Sequence, residues 1–508
     1  VSLTTATRPA PTAAPIEWRT VKAIFAASSG NLVEWFDFYI YAFFSVYFAE
    51  QFFTGTGQTG SLMKSAGVFF VGFLMRPIGG WLFGRIADRY GRKRSMLIAI
   101  SMMCAGSLMF AALPTAASVG ALAPVLMLIV RCIQGLSVGG EYGSTATYMS
   151  EIASTGRRGF YSSFQYVTLI GGQLLASLLA VIMTSALGDE AITNGWWRLP
   201  FVIGALAAVV SLWLRNGLEE TASDQELSVE GAGSLRELFR HPRSFWVVLG
   251  ITSVGSLTFY TYTTYMQKYL INTAGFSKGD VARTMTICLF IYMIMQPIVG
   301  AISDRVGRKN IMIVFGVFSL FATIPAFMLL GHQSSLVSAA AIIIVILAFE
   351  SCYTSISGIL KAEMFPIHIR GLGVGFTYAV GNSLFGGSAE YVALGLKNAG
   401  HASLFPAYVT IMAAIGLVAI SFLHDSRSHS TIDNPHGSAY KRKQPRSAQE
   451  NGALRPVNTE FPGRRAFFAA RKGVAANSPR PRRSSPPAGG PPRYTSPRGR
   501  NQPRRVRG

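Results

Sequence analysis

The sequence predicts an all-α membrane protein of twelve transmembrane helices, built as two pseudo-symmetric six-helix halves. Three observations carry that prediction. Half of the 508 residues are hydrophobic and only 14% are charged, with 34 Phe and a mean hydropathy of +0.34, whereas a water-facing surface normally carries about a quarter charged residues. Apolar runs matched to a hydrocarbon layer of ~30 Å, ~20 residues each, recur along the chain. A charged loop motif occurs twice, at an offset of about half the apolar region.

In order, the runs fall at roughly 22–49, 65–86, 95–113, 122–147, 160–183, 197–214, 244–270, 282–303, 311–330, 337–360, 371–395 and 403–423. Cationic loops stay on the cytoplasmic side. The loops after runs 2, 4, 6, 8 and 10 hold most of them: Arg85 to Arg94, Arg157 and Arg158, Arg215 to Arg243, Arg305 to Lys309, and Lys361 with Arg370. Both termini are therefore expected in the cytoplasm. The expected organisation is a disordered segment 1–20, a six-helix bundle 21–214, a polar linker 215–243, a second bundle 244–423 and a disordered tail 424–508.

A formal net charge of +22 invites a nucleic-acid reading, but the tail alone carries 19 Lys/Arg against 4 Asp/Glu and half of the 24 prolines. Such a segment cannot bury enough apolar surface to fold, and membrane lipid is the expected partner rather than nucleic acid. Cys104, Cys132, Cys288 and Cys352 all fall inside the runs without CxxC spacing, as small core residues do. Gly135-Leu-Ser137-Val-Gly139 spells a nucleophile elbow, but it lies in a membrane helix and all seven His lie in loops, at run edges or in the tail. No HExxH, Walker A or zinc spacing occurs, so neither an enzyme nor a cofactor is expected.

The loop after run 2 reads Gly84-Arg-Ile-Ala-Asp88-Arg89-Tyr-Gly91-Arg92-Lys93, and the loop after run 8 reads Gly300-Ala-Ile-Ser-Asp304-Arg305-Val-Gly307-Arg308-Lys309. A second echo pairs Glu151 to Gly159 with Glu363 to Gly371, and continues as Phe164-Gln-Tyr166 against Phe376-Thr-Tyr378. The duplicated G-x-x-x-D-R-x-G-R-[RK] signature resembles the major facilitator superfamily. Asn31-Leu-Val-Glu34-Trp-Phe-Asp37-Phe-Tyr39, Gly72-Phe-Leu-Met-Arg76-Pro77-Ile-Gly-Gly80, Gly135-Leu-Ser-Val-Gly-Gly-Glu141-Tyr and Ile359-Leu-Lys361-Ala-Glu363-Met-Phe-Pro366 resemble its metabolite:proton symporters. Thr263-Thr-Tyr-Met-Gln-Lys268-Tyr and Phe385-Gly-Gly-Ser-Ala-Glu390-Tyr391 are most similar to the branch that carries alpha-ketoglutarate (2-oxoglutarate). The resemblance covers roughly residues 20–423. It implies a symporter in a bacterial-type cytoplasmic (inner) membrane, whose partners are a small dicarboxylate and a proton, working by alternating access and expected to be monomeric.

An ionisable side chain within the hydrocarbon costs at least ~2.5 kcal/mol, so each is a candidate functional group. They are Glu34, Asp37, Arg76, Arg131, Glu141, Lys268, Glu350 and Glu390. With a rise of ~1.5 Å per residue, Asp37 and Arg131 come out at nearly one height. A carboxylate facing a guanidinium can act as a proton switch. Asp37, helped by Glu34, is expected to pair with Arg131, and its protonation to release Arg131 for a substrate carboxylate. The alternative is a fixed ion pair stapling two helices. Arg76 suits permanent, bidentate carboxylate contact, unless it pairs with Glu390. Gln165, Tyr166, Tyr262, Tyr265 and Lys268 are further candidates for orienting a bound anion, although packing explains most polar residues in membrane helices.

The signature has its own electrostatics. Asp88 is expected at the start of run 11 near Gly371, where a helix N-terminus attracts an anion, and the repeat places Asp304 against the start of run 5 near Gly159. Positive-inside anchoring accounts for Arg89, Arg92, Arg305 and Arg308 but not for an Asp at both places. The resemblance implies that Gly84, Asp88, Arg89, Arg92, Gly300, Asp304, Arg305 and Arg308 form a gate that latches the halves together on the inside. Citrate, shikimate and proline or betaine stay open as substrates at this stage, as does a sensor that binds solute without moving it.

Overall fold

The computed structural model describes residues 18–423 and Ile432, apart from residues 56, 155, 224–226, 228, 230 and 334. The expected disorder of 1–17 and 424–508 lies outside the described residues.

Among the described residues, twelve long helices follow the apolar runs; most extend a few residues past one or both run ends, whereas α12 lies inside its run. Helix α1 is Trp18–Phe52, so residues 18–20, expected in the disordered start, are helical. Helix α2 is Gly57–Leu74 and, past Met75 and the Pro77 first turn, Arg76–Tyr90. Helices α3, α4, α5 and α6 are Arg92–Ala111, Leu122–Ile152, Arg158–Thr193 and Leu199–Asn216. Helix α7 is Pro242–Tyr260, continued by Met266–Asn272; α8 is Lys278–Val306 and α9 Arg308–Gly331. Helix α10 is Leu336–Thr354 with Ser357–Met364, α11 Arg370–Gly381 with Ala389–Asn398, and α12 Leu404–Ser421. Eleven of the twelve are long and apolar enough to cross a membrane; α11 is broken near Ser388 into pieces too short for that test.

Helices α7 and α11 each carry a five-residue π turn, Thr261–Tyr265 and Asn382–Gly386, a distortion often found at functional sites. The polar linker is narrower than the sequence suggests. Arg215 and Asn216 close α6, Pro242 and Arg243 open α7, and a short helix Leu235–Leu238 lies between.

The duplicated signature makes the same bend twice. Gly91 (φ +102°) joins α2 to α3 and Gly307 (φ +98°) joins α8 to α9, a left-handed region open to glycine and costly for other residues. We call the end of the bundle carrying these two bends the signature face. The halves meet along α2 with α11 and α5 with α8. A Cβ on Gly84 would lie 2.6 Å from the Leu372 Cα, and one on Gly300 2.6 Å from the Gly159 carbonyl oxygen, so small residues set these close crossings. Toward the opposite face the first half is packed with aromatic rings, such as Phe110 with Phe201 at 4.3 Å and Phe48 with Trp197 at 5.3 Å.

Candidate functional site

The three long apolar helices α1, α2 and α4 carry Asp37, Arg76, Arg131 and Gln134 on the faces they turn toward one another. These four side chains line one small cavity with Phe38, Phe69 and Phe73, whose volume of about 20 Å³ holds little more than one water.

Asp37 is fully buried. Its Oδ1 accepts from Ser107 Oγ at 2.5 Å and its Oδ2 from Gln134 Nε2 at 2.8 Å. Arg131 Nη1 stands 4.0 Å from Oδ2, at the edge of ion-pair contact. The Arg131 guanidinium lies over the Tyr41 ring at 3.7 Å and near Phe110 at 4.9 Å. Its Nε and Nη2 have no acceptor among the described residues. Buried donors are normally satisfied, so these two are open to an acceptor from outside.

Arg76 is equally buried and rests on Phe73 (3.8 Å), Phe38 (4.9 Å) and Trp35 (5.4 Å). Its Nη1 also lacks an acceptor among the described residues. Glu390 is not its partner, because Glu390 pairs with Lys268. Glu34, one helical turn from Asp37, is buried within the electrostatic reach of Glu141, Arg76, Arg215 and Asp37, and its Oε1 is without a partner among the described residues.

Phe38, Phe69 and Phe73 form an aromatic septum, with ring centroids 4.6 to 5.4 Å apart. On its far side a vestibule of about 260 Å³ opens between α1, α2, α7 and α11 toward the face opposite the signature, with Tyr260, Thr264 and the Lys268–Glu390 pair in its wall. Gln165 and Tyr166 lie nearer the signature face, where Gln165 Nε2 reaches the Tyr142 carbonyl at 3.4 Å and Tyr166 packs edge-on against Phe259 at 5.7 Å. Tyr262 and Tyr265 turn the other way. Tyr262 bonds Thr323 at 2.9 Å and Tyr265 packs against Phe405 at 4.9 Å, inside the second half and away from the cavity.

The signature face is closed. Asp88 accepts the amides of Gly371 and Leu372, both at 2.8 Å, and Asp304 accepts those of Gly159 and Phe160 at 2.7 and 3.0 Å. Each carboxylate thus sits on the N-terminus of a helix of the other half, where the helix dipole favours an anion. Buried Arg92 donates to the Ala87 and Ile367 carbonyls at 3.0 and 2.8 Å and lies 3.4 Å from Glu151, which Arg370 Nη1 meets at 2.9 Å. Arg308 pairs with Glu363. Arg89 and Arg305 are exposed at the rim.

This pairing of two helix N-termini by two carboxylates at repeat-related positions is a property of the whole fold, and the comparisons with known proteins give that fold its family. The profile of the Major Facilitator Superfamily matches residues 27–390 and, in a second overlapping match, 285–470. The chain belongs to the major facilitator superfamily. It is 55% identical over 406 residues to the alpha-ketoglutarate permease of Escherichia coli K12, covering 80% of this chain and 94% of that one. It is 30% identical over 425 residues to a citrate-proton symporter of Salmonella typhi (82% and 97% covered) and 33% identical over 415 residues to a proline/betaine transporter of Salmonella typhimurium (78% and 82%). Among solved structures, the proton:xylose symporter XylE superposes with a TM-score of 0.68 at 17% identity, covering 82% of this chain and 98% of that one. FucP in an outward conformation gives 0.61 at 14%, covering 80% and 100%; these two show the fold alone.

Within this major facilitator fold, three buried polar features escape sequence reasoning. Ser107 and Gln134, which hold Asp37, look like ordinary polar residues of membrane helices. Arg215, expected in the linker, is buried and pairs with Glu141 through both guanidinium nitrogens, Nη1 to Oε2 at 2.9 Å. Lys361, expected as a loop cation, lies inside α10 and is fully buried. Its Nζ donates to Ser357 Oγ at 2.6 Å and, across the halves, to Tyr142 Oη at 2.9 Å, with no carboxylate partner among the described residues. The stacked Tyr142 and Tyr378 rings, 3.4 Å apart, cover it, and Tyr378 is also within electrostatic reach of Arg76. The motif Ile359-Leu-Lys361-Ala-Glu363 held the signal, since a lysine one residue past the run's end can still lie inside the helix, which here continues to Met364.

Proposed function

We propose that this protein is a proton-coupled symporter that imports a small dicarboxylate, 2-oxoglutarate in the first instance, by alternating access, and that it does not transform its substrate. The observation that carries the reading is the pair of buried guanidiniums, Arg76 and Arg131, with unsatisfied N–H groups turned to one cavity that also holds Asp37. The 55% identity to an alpha-ketoglutarate permease supports this substrate over citrate or proline and betaine. The positive-inside charge pattern supports an orientation with the signature face and both termini in the cytoplasm, and the bacterial relatives support a bacterial-type inner membrane.

In this mechanism Asp37 is the proton acceptor. Charged, it draws Arg131 toward itself; protonated, it releases the guanidinium to a substrate carboxylate. Arg76 provides the second fork, steered by its aromatic bed, and Glu34 helps Asp37 carry the proton. Lys268 and Glu390 guard the vestibule. Gln165 and Tyr166 meet the anion on its way inward. Lys361 receives the distal carboxylate once the Tyr142–Tyr378 stack parts. The two halves, roughly 21–214 and 244–423, rock as bodies, and Asp88, Asp304, Arg92 and Arg308 latch the closed cytoplasmic side.

The test is uptake of labelled 2-oxoglutarate by vesicles containing only this protein, with and without an inward proton gradient, and with succinate, citrate, shikimate and proline as competitors. Accumulation driven by the gradient and blocked best by unlabelled 2-oxoglutarate is the expected result. Accumulation of a competitor alone would replace the substrate, and binding without accumulation would make the protein a sensor.

A further inference from the structure

Outside the cavity, another group of potential ligands converges on the signature face. Glu237, in the short helix Leu235–Leu238, His241, which precedes α7, and His368, in the turn Ile367–Ile369 that precedes α11, bring one ligand atom each to within 4.8 Å of one another. More than 120 residues of chain separate the first two from the third, so the fold and not local sequence makes the cluster. All three side chains are partly buried, which leaves a path from solvent.

We propose that Glu237, His241 and His368 form a site for a divalent transition metal of the zinc type, and that its occupation holds the transporter closed on the signature face. Two imidazole nitrogens and one carboxylate oxygen are a donor set for zinc, cobalt or nickel, not for magnesium or calcium, which take oxygen ligands. Three protein ligands leave the fourth tetrahedral position to water. Glu237 Oε2 already accepts from Arg240 at 2.9 Å, but the carboxylate has a second oxygen, and Arg240 is 64% exposed and pivots away at little cost.

The position gives the site its consequence. The Gly233 amide donates to the His368 carbonyl at 3.1 Å, and the Gly233 backbone abuts Arg85 of α2 so closely that a Cβ there would lie 2.9 Å from the Arg85 Cα. The linker therefore lies across the seam between the halves. Three residues beyond His368 the chain presents the Gly371 and Leu372 amides to Asp88. A metal joining Glu237 and His241 to His368 fixes the linker, and with it the Gly233 contact to Arg85 of α2, beside the latch, and so opposes separation of the halves. This consequence rests on the transport reading; the metal site itself does not.

Two measurements keep the two apart. The first is titration of the metal-stripped, purified full-length protein with cobalt(II), read by visible absorption, and with zinc, read by competition against a chromogenic chelator. Wild type is expected to bind one more zinc than His241→Ala/His368→Ala, with tetrahedral cobalt absorption that the variant lacks. Glu237→Gln, which keeps the side chain's volume, should weaken zinc at least tenfold. The histidines at 424, 429 and 436 are common to all these proteins and cancel in the difference. Equal stoichiometry and equal cobalt spectra in wild type and variant would overturn the site. The second is uptake with micromolar zinc on both sides of the membrane. Wild-type uptake should fall at least threefold and the double variant's should not. Equal inhibition of both, or of neither, would overturn the coupling to the latch.

Discussion

Asp37 and Arg131 stand 4.0 Å apart with their best hydrogen bonds made to, or left open for, someone else. Asp37 is held by Ser107 and Gln134, and two Arg131 donors have no acceptor among the described residues. A structural staple would be expected to close this gap with a bidentate pair, as Arg215 does with Glu141. The loose contact is what a releasable pair requires.

Replacing Asp37 by Asn removes the titrating charge while keeping the Ser107 and Gln134 contacts within reach. We expect Asp37→Asn to lose gradient-driven accumulation and to retain exchange of labelled for unlabelled substrate. Accumulation that stays fully dependent on the proton gradient would rule Asp37 out as the coupling group.

For Arg76, the comparison is with Lys and Met. A charge-assisted hydrogen bond is worth about 1.5–3 kcal/mol, or roughly a 10- to 150-fold change in affinity. Arg76→Met should weaken 2-oxoglutarate binding by that range. Arg76→Lys should recover only part of it, since the ammonium is no fork. Equal affinities in all three would remove Arg76 from the site.

Lys361→Met tests the second carboxylate. Competition by 2-oxoglutarate should fall about tenfold or more, while competition by a monocarboxylate of similar length should hardly change. An equal loss for both would mean that Lys361 supports the fold and not the distal carboxylate.

The latch is open to hydrogen exchange. Asp88→Asn weakens two charge-assisted bonds to the Gly371 and Leu372 amides, and exchange at those amides should rise about tenfold or more. Asp304→Asn should do the same at Gly159 and Phe160. Unchanged protection in both variants would show that other contacts keep the face closed.

Glu141→Ala leaves Arg215 buried without its carboxylate. Removing one partner of a buried ion pair typically costs about 3–5 kcal/mol, so the variant should melt well below wild type in detergent. Substitution of both residues by apolar ones of similar volume should recover much of the loss; failure of that rescue would argue for a role of the pair in transport.

The sequence by itself determined the membrane spans, the two-half plan, the repeated Asp88 and Asp304 and the heights of Asp37 and Arg131. The reason is that these depend on quantities fixed along one chain: the length of an apolar run, the rise of a helix and the offset of a repeat. Only the tertiary structure decided which way each side chain faces. Tyr262 and Tyr265 share a helix with vestibule-lining Tyr260 and Thr264 yet turn into the second half. Lys361 and Arg215 counted as loop cations because charge near the end of an apolar run carries no sign of direction, and packing turns both inward. Lys268 found Glu390 and not the cavity. Helical rotation and the crossing of neighbouring helices set these choices, and both arise from contacts between segments far apart in the chain.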